Sequence, residues 1–208
     1  MTISSETNSY IHPTAIVEDG AIIGTNVKIW HFCHIRSGAV IGDGVSIGRD
    51  CYIDSGVSIG KFSRIQNGVS IYNGVDIKDY CFIGPHVIFT NDMSPRVLKK
   101  NWKTVKTVIN TGGSLGAGSI IRCGVSVGSF SMIGAGSLVT KNIEPFTLHI
   151  GFPSKVKSFL CACGDTQFAL DCFHQKTVVK DCCLENLPIE MLEVANQEIS
   201  KLADEEIL

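Results

Sequence analysis

Side chains able to do chemistry cluster at a few places in this 208-residue chain. His31 and His34 stand close together in IWHFCHI, beside Trp30 and Phe32. A neutral imidazole can accept a proton near pH 7, so either could serve as a general base. Gln66, Asn67, Tyr72 and Asn73 follow in RIQNGVSIYNG. Their amide and phenol groups both donate and accept hydrogen bonds, which suits a sugar or a base better than a metal. Asn91 sits in FTND, eighteen residues after Asn73. The next stretch, MSPRVLKKNWKTVK at 93–106, holds Pro95, Arg96 and four lysines but no acid. Cations beside amides are a plausible anchor for a diphosphate. Each group also has an ordinary reading. Asn is common turn chemistry, a charge run is usually solvated, and a His–Trp corner can be a packing surface between subunits.

The elements that must carry these groups are read from a repeat. From Ala15 to Asp92 the chain falls into thirteen rows of six without a gap. The third place is Ile in eleven of them, so the pattern is not chance; Val17 and Phe89 fill the other two. The frame returns from 107 to 142. A period of six excludes a helix, whose apolar stripe recurs at three and four. It fits short strands whose first and third places face one side, with turns between them rich in Gly, Asn and Asp. One row cannot bury its Ile, but stacked rows can. Three rows per coil give a triangular prism of about six coils, roughly 30 Å tall at a strand spacing of about 4.8 Å. Residues 93–106 cannot join the coil and form a loop thrown out from it, and long loops in compact domains are more often functional than idle.

The formal charge of −2 argues against nucleic-acid binding. No run of eighteen apolar residues predicts a membrane span. Residues 1–10 lack the basic and apolar regions of a signal peptide and read as a loose tail. Nine cysteines without an export signal suggest reduced thiols and a cytoplasmic protein. Cys33, Cys51 and Cys81 occupy the small first place of their rows and read as core fillers. Cys33 and Cys51 are eighteen apart, so they should stack one coil above the other, and no disulfide is expected. Composition changes near residue 160: the first 160 residues carry a balance of +5, the remainder −7, and only one of the 21 glycines falls in the remainder.

The rows resemble the hexapeptide-repeat acyltransferases, which form left-handed parallel β-helices. The resemblance covers residues 11 to about 157, and it alone supplies the left hand, an exception to the usual crossover rule. WHFCHI, RIQNGVSIY, FIGP and FTND followed by PR are similar to N-acetyltransferases acting on nucleotide-linked 3-amino sugars in surface-polysaccharide (O-antigen) biosynthesis. WHFCHI and QNGVSIY lean toward a branch using UDP-linked sugars, the favoured expectation. Asp92 leans toward a branch using dTDP-linked 3-amino-3,6-dideoxyhexoses. The resemblance implies a homotrimer with sites between neighbouring prisms and acetyl-CoA as cosubstrate. It implies that Asn91 holds the reacting amine and that Gln66, Asn67, Tyr72, Asn73, Pro95 and Arg96 meet the sugar nucleotide. His31 and His34 rank second as catalytic groups. Rows 113–142 are rich in Gly, Ala and Ser, which let a ligand approach the backbone. The family lays the pantetheine arm there, which selects Ala117 and Ala135. In IGFPSK, Lys155 corresponds to a lysine that meets CoA phosphates, although Ser154 replaces a more usual Ala. Two other classes remain open: an O-acetyltransferase using a His base against an alcohol, and a non-catalytic assembly subunit.

Residues 158–208 form an appendage. CACG at 161–164 with Cys172, His174, Cys182 and Cys183 resembles a worn zinc knuckle. Zinc is weighed but not favoured, and no metal ligand is assigned, because adjacent cysteines suit one tetrahedral ion poorly. The end of the chain reads as a helix. Pro188 suits its first turn, and Leu192, Ala195, Ile199 and Leu202 form one apolar stripe able to pack on the prism or on trimer mates.

Overall fold

The computed structural model describes residues 8–165, 167–168, 179 and 181–204. Two-residue strands wind into a three-faced parallel solenoid. The first face starts with Tyr10–Ile11 and Lys28–Ile29, the second with Ile16–Val17 and His34–Ile35, the third with Ile22–Ile23 and Val40–Ile41. Partners across a coil are eighteen residues apart, as in Ile41↔Ile59 and Ile59↔Ile77. The third-place isoleucines fill the interior: Ile29, Ile35, Ile41, Ile47, Ile53 and Ile59 are all buried. First-place residues such as Val27, Cys33, Ala39 and Cys51 share that core, as alternation along a strand requires. The core cysteines are free.

The stack is taller than the hexad count. Eight parallel strands line the first face, because Tyr10–Ile11 precedes the first clean row and Thr147–Gly151 follows the last. Tyr10, expected in the loose tail, therefore begins the first coil. Above Thr147–Gly151 the chain reverses, and Ser154–Leu160 pairs with it antiparallel.

The three corners differ. At the corner from the third face to the first, Phe62, Tyr80, Phe130 and Phe146 hold φ of 56–58°. A side chain there costs about 1–2 kcal/mol of backbone strain, and aromatic packing offsets it. The Phe130 and Phe146 rings stack with centroids 5.2 Å apart. Helix α1 (Asp181–Asn186), absent from the sequence expectation, and helix α2 (Ile189–Asp204) belong to the appendage. Met191, Ala195 and Leu202 of α2 join Phe130 and Phe146 in a second apolar cluster, while Leu192 and Ile199 are only partly buried. The α2 stripe thus turns toward Met191 relative to its expected centre. Pro188 caps α2, its carbonyl accepting from the N–H groups of Met191 and Leu192. Glu190 accepts the Tyr80 hydroxyl at 2.8 Å and lies 3.5 Å from Lys61 Nζ. Burial, and then Glu190, push the Tyr80 phenol up to about 12.

Candidate active site

The candidate residues divide between two corners. Corner 1–2, where the first face turns into the second, carries His31 on the second coil, Gln66 and Asn67 on the fourth, Ala117 on the sixth and Ala135 on the seventh. Lys155 pairs with Ile150 just above Ala135. Corner 2–3, where the second face turns into the third, carries Tyr72 and Asn73 on the fourth coil and Asn91 on the fifth. Pro95 and Arg96 lie on the loop that leaves from Asn91. His34 opens a strand of the second face, between the two corners. One face separates the sets, about 20 Å at roughly 3.3 Å per residue over six residues.

At corner 1–2, Trp30, His31, Ser46, Gly48, Arg49, Gln66 and Asn67 line a cavity of about 320 Å³. His31 stacks on His12 with centroids 3.5 Å apart. Partial desolvation, and then the neighbouring His31, hold the His12 imidazole below its usual value. Asn67 Oδ1 accepts the Arg49 N–H at 3.0 Å, as Asp43 and Asp79 do for Thr25 and Lys61 in other rows. Asn67 therefore has coil-building work, whereas the Gln66 amide makes no side-chain hydrogen bond among the described residues. Higher on this corner the wall is bare. A Cβ added at Gly118 or Gly136 would meet nothing within 4 Å.

At corner 2–3, the half-buried Asn91 closes the loop through its backbone: its carbonyl accepts the Val105 N–H at 3.2 Å. Its side-chain amide has no hydrogen-bond partner among the described residues. Asp92 Oδ1 accepts the Ser94 N–H at 2.8 Å and lies 3.7 Å from Lys99 Nζ, shaping the loop's exit. Asn73 Nδ2 donates to the Ser55 carbonyl at 2.7 Å, a turn-building bond. Tyr72 is exposed with its ring beside Tyr52.

Sequence reading missed a polar chain along the second face. Glu18 Oε1 lies 2.7 Å from His34 Nε2 and 2.8 Å from Arg36 Nε. Arg36 donates to Tyr52 Oη, which donates to Asp54, and Asp54 accepts the Asn73 N–H. The Ser37 N–H first, and then His34, hold the Glu18 carboxyl at about 2. The signal was present, since all of these partners but the Tyr52–Asp54 pair lie 16 to 19 residues apart, about one coil, but only knowledge of the facing strands makes it readable. His86 was also missed. It stands exposed on corner 1–2 of the fifth coil, level with Asn91. His34 lies three coils lower than Asn91, about 14 Å along the prism at about 4.8 Å per coil.

The sequence reading assigned no metal ligand. In the structure the Sγ atoms of Cys161, Cys163, Cys182 and Cys183 all lie within 4.8 Å of one another. The objection from adjacency fails because Cys182 and Cys183 occupy the first turn of α1, which wraps both thiols toward one centre. Cys172 and His174 lie outside the described residues.

A coiled, three-faced stack of hexads whose corners carry amides, imidazoles and bare glycine walls defines a class of transferase. A family profile described as "Hexapeptide repeat of succinyl-transferase" matches residues 38–73 and 113–141. The dTDP-3-amino-3,6-dideoxy-alpha-D-galactopyranose 3-N-acetyltransferase of Aneurinibacillus thermoaerophilus is 42% identical over 163 residues, which make up 78% of this chain and 84% of that protein. The chain belongs to the hexapeptide-repeat acetyltransferases. The galactoside O-acetyltransferase of Lactococcus lactis subsp. lactis (strain IL1403) is 41% identical over a shorter stretch of 86 residues, 36% of this chain and 42% of that protein. A solved hexapeptide transferase family protein from Anaplasma phagocytophilum matches with a TM-score of 0.51 at 16% identity, covering 92% of this chain and 89% of that one, a likeness of fold alone. No helix among the described residues is long and apolar enough to cross a membrane.

Proposed function

We propose that this enzyme transfers an acetyl group from acetyl-CoA to the 3-amino group of a dTDP-linked 3-amino sugar, in a site shared between two chains of a homotrimer. The carrying observation is the relative that matches over 163 residues at 42% identity, whose name gives that chemistry. Asp92 in FTND agrees with it. The UDP-linked substrate favoured by WHFCHI and QNGVSIY becomes the second reading.

The order of groups along the prism supports this assignment. Gln66, Asn67, Tyr72 and Asn73 sit one coil below Asn91, and the bare wall at Ala117 and Ala135 sits above it, with Lys155 at the top. A sugar nucleotide entering from below and a pantetheine arm lying along the wall would meet at the level of Asn91. Asn91 has an uncommitted amide, suited to orient an amine against a thioester carbonyl. A backbone N–H on the wall would hold the developing oxyanion. The amine nitrogen bonds to the acyl carbon, the C–S bond breaks, and the amine proton passes to the departing sulfur or to His86 on the same level. His31 and His34 lie too low for that role and serve the nucleotide end.

The two halves lie on different corners, so a neighbouring copy is needed to close the cleft. Ile16, Ile22 and Ile88 support this, since they point outward from the faces at 60%, 61% and 51% exposure. A neighbouring copy would cover these outward isoleucines on the second and third faces.

The test is a panel of dTDP- and UDP-linked 3-amino sugars, a galactoside and serine, each given acetyl-CoA with thiol release followed. Turnover highest on the dTDP-amino sugar is expected. Preference for the UDP sugar selects the second reading, and release with alcohols alone overturns amine acetylation.

A further inference from the structure

The four thiols at the base of the appendage lie outside the candidate acetyl-transfer site described above. We propose that Cys161, Cys163, Cys182 and Cys183 bind one zinc ion as a closed tetrathiolate that clips the appendage to the end of the prism. The geometry is that of one ion. At a Zn–S distance of about 2.3 Å, the edges of a thiolate tetrahedron measure about 3.8 Å. The Sγ pairs Cys161–Cys163, Cys161–Cys182, Cys163–Cys182 and Cys163–Cys183 stand 3.3, 3.7, 3.6 and 3.6 Å apart. No pair among the four exceeds 4.8 Å. Sulfide-bridged iron would drive the thiolates of different irons farther apart than this, so the arrangement favours a mononuclear ion. Four soft sulfur donors select zinc over hard cations.

The placement explains what the ion would do. Cys161 follows directly on Ser154–Leu160, the last long strand of the prism's end, and Cys163 lies in the turn after it. Cys182 and Cys183 begin α1, which leads to α2 and its docking against Phe130 and Phe146. Cys161 and Cys183 are fully buried, and Cys163 and Cys182 are partly so, leaving a path for the ion to enter. A closed set of four protein ligands leaves no position for substrate water, so the ion is structural. On binding, four S–H protons leave to solvent and four S–Zn bonds form, with no oxidation.

The test uses the full chain, purified without chelator. Elemental analysis should find one zinc per chain. Cobalt(II) exchanged into the site should show the ligand-field spectrum of a tetrahedral tetrathiolate. The double variant C163S/C182S should lose the metal while keeping the prism's β circular dichroism, and C33A/C51A should retain one equivalent. Alkylation with mass mapping adds a readout independent of folding: the four thiols should be protected with zinc and modified after chelation. The proposal is overturned if reduced protein given excess zinc holds none after desalting. It is equally overturned if C163S/C182S keeps a full equivalent, or if alkylation of these thiols ignores zinc. None of these outcomes bears on the substrate panel.

Discussion

His149 ends the column of aliphatic side chains behind the first face, its backbone in register above Ile133. Neither ring nitrogen has a hydrogen-bond partner among the described residues, although both are buried. Burial holds the imidazole below its usual 6.5. The folded state therefore resists protonation more than the unfolded state does. Stability is whole above about pH 6.5 and declines as pH falls through the interval down to the folded value. His149→Leu should remove that slope and add about 1–3 kcal/mol by deleting unsatisfied polar atoms, read from urea melts on either side of the interval. A wild type no less stable on the acid side than on the alkaline side, relative to the variant, refutes the account. At the reacting centre the levels along the prism set the expectations. Asn91→Ala should lower turnover by about 10²-fold, the cost of a misplaced reactant, with the size of the assembly unchanged by light scattering. His31→Ala and His34→Ala should mainly raise the KM for the sugar nucleotide. A fall in kcat from His34→Ala as large as that from Asn91→Ala would return the proton to His34. These residue types were legible in the sequence, and eighteen-residue spacing gave levels such as Asn91 one coil above Asn73, but the hexad count alone does not say which side chains face one cleft.

Elements owe their form to coil-on-coil contact, and the glycines show how tight it is. A Cβ on Gly60 would lie 2.5 Å from the backbone nitrogen of Asp79 and from the Lys78 carbonyl carbon, one coil above. The Asp79 carboxylate is closer still, but it is held by the Lys61 N–H at 2.8 Å, and the two backbone atoms cannot give way. Gly136 lies at the opposite extreme, with φ of 67° and open space around it. Gly60→Ala should cost about 3 kcal/mol or more, as overpacking against backbone does. Gly136→Ala should cost about 1–2 kcal/mol, the left-handed strain of a side chain alone. Thermal melts of the two variants check the order, and equal losses would mean the coils can slide apart. The inward Ile column was readable because six-residue spacing repeats it many times. The aromatic corner was not. Phe62, Tyr80, Phe130 and Phe146 sit where local preference asks for Gly, and the reason lies in tertiary contact: α2 meets Tyr80, Phe130 and Phe146, and Phe62 packs on Tyr80. The cysteines were visible in the sequence as a worn zinc knuckle, but their fitness for one ion was not: two adjacent thiols look unfit until a helix turn is known to carry them.

At the scale of the whole molecule, the separation of the two corners decides what one chain can do alone. The bare wall and Gln66 belong to corner 1–2, Asn91 and the basic loop to corner 2–3, and a full face lies between them. A parallel stack has no bend that could fold one corner onto the other. In a cyclic trimer, corner 1–2 of each chain would face corner 2–3 of the next, and each cleft would take half its groups from each copy. That arrangement predicts complementation between two inactive variants. Ala135→Trp fills the wall where the pantetheine arm would lie, since Ala135 is exposed. Asn91→Ala removes the amine's partner. Each homotrimer lacks one half in every cleft. In any mixed trimer, one cleft of three pairs an intact wall with an intact Asn91. Random assortment of equal amounts, by refolding or coexpression, makes roughly a quarter of all clefts whole. Activity should rise from the background of either variant to about that fraction of wild type. If both functional halves lay within one chain, each chain would carry its own defect and mixing would restore nothing, so a mixture no more active than its parts rules out the shared cleft.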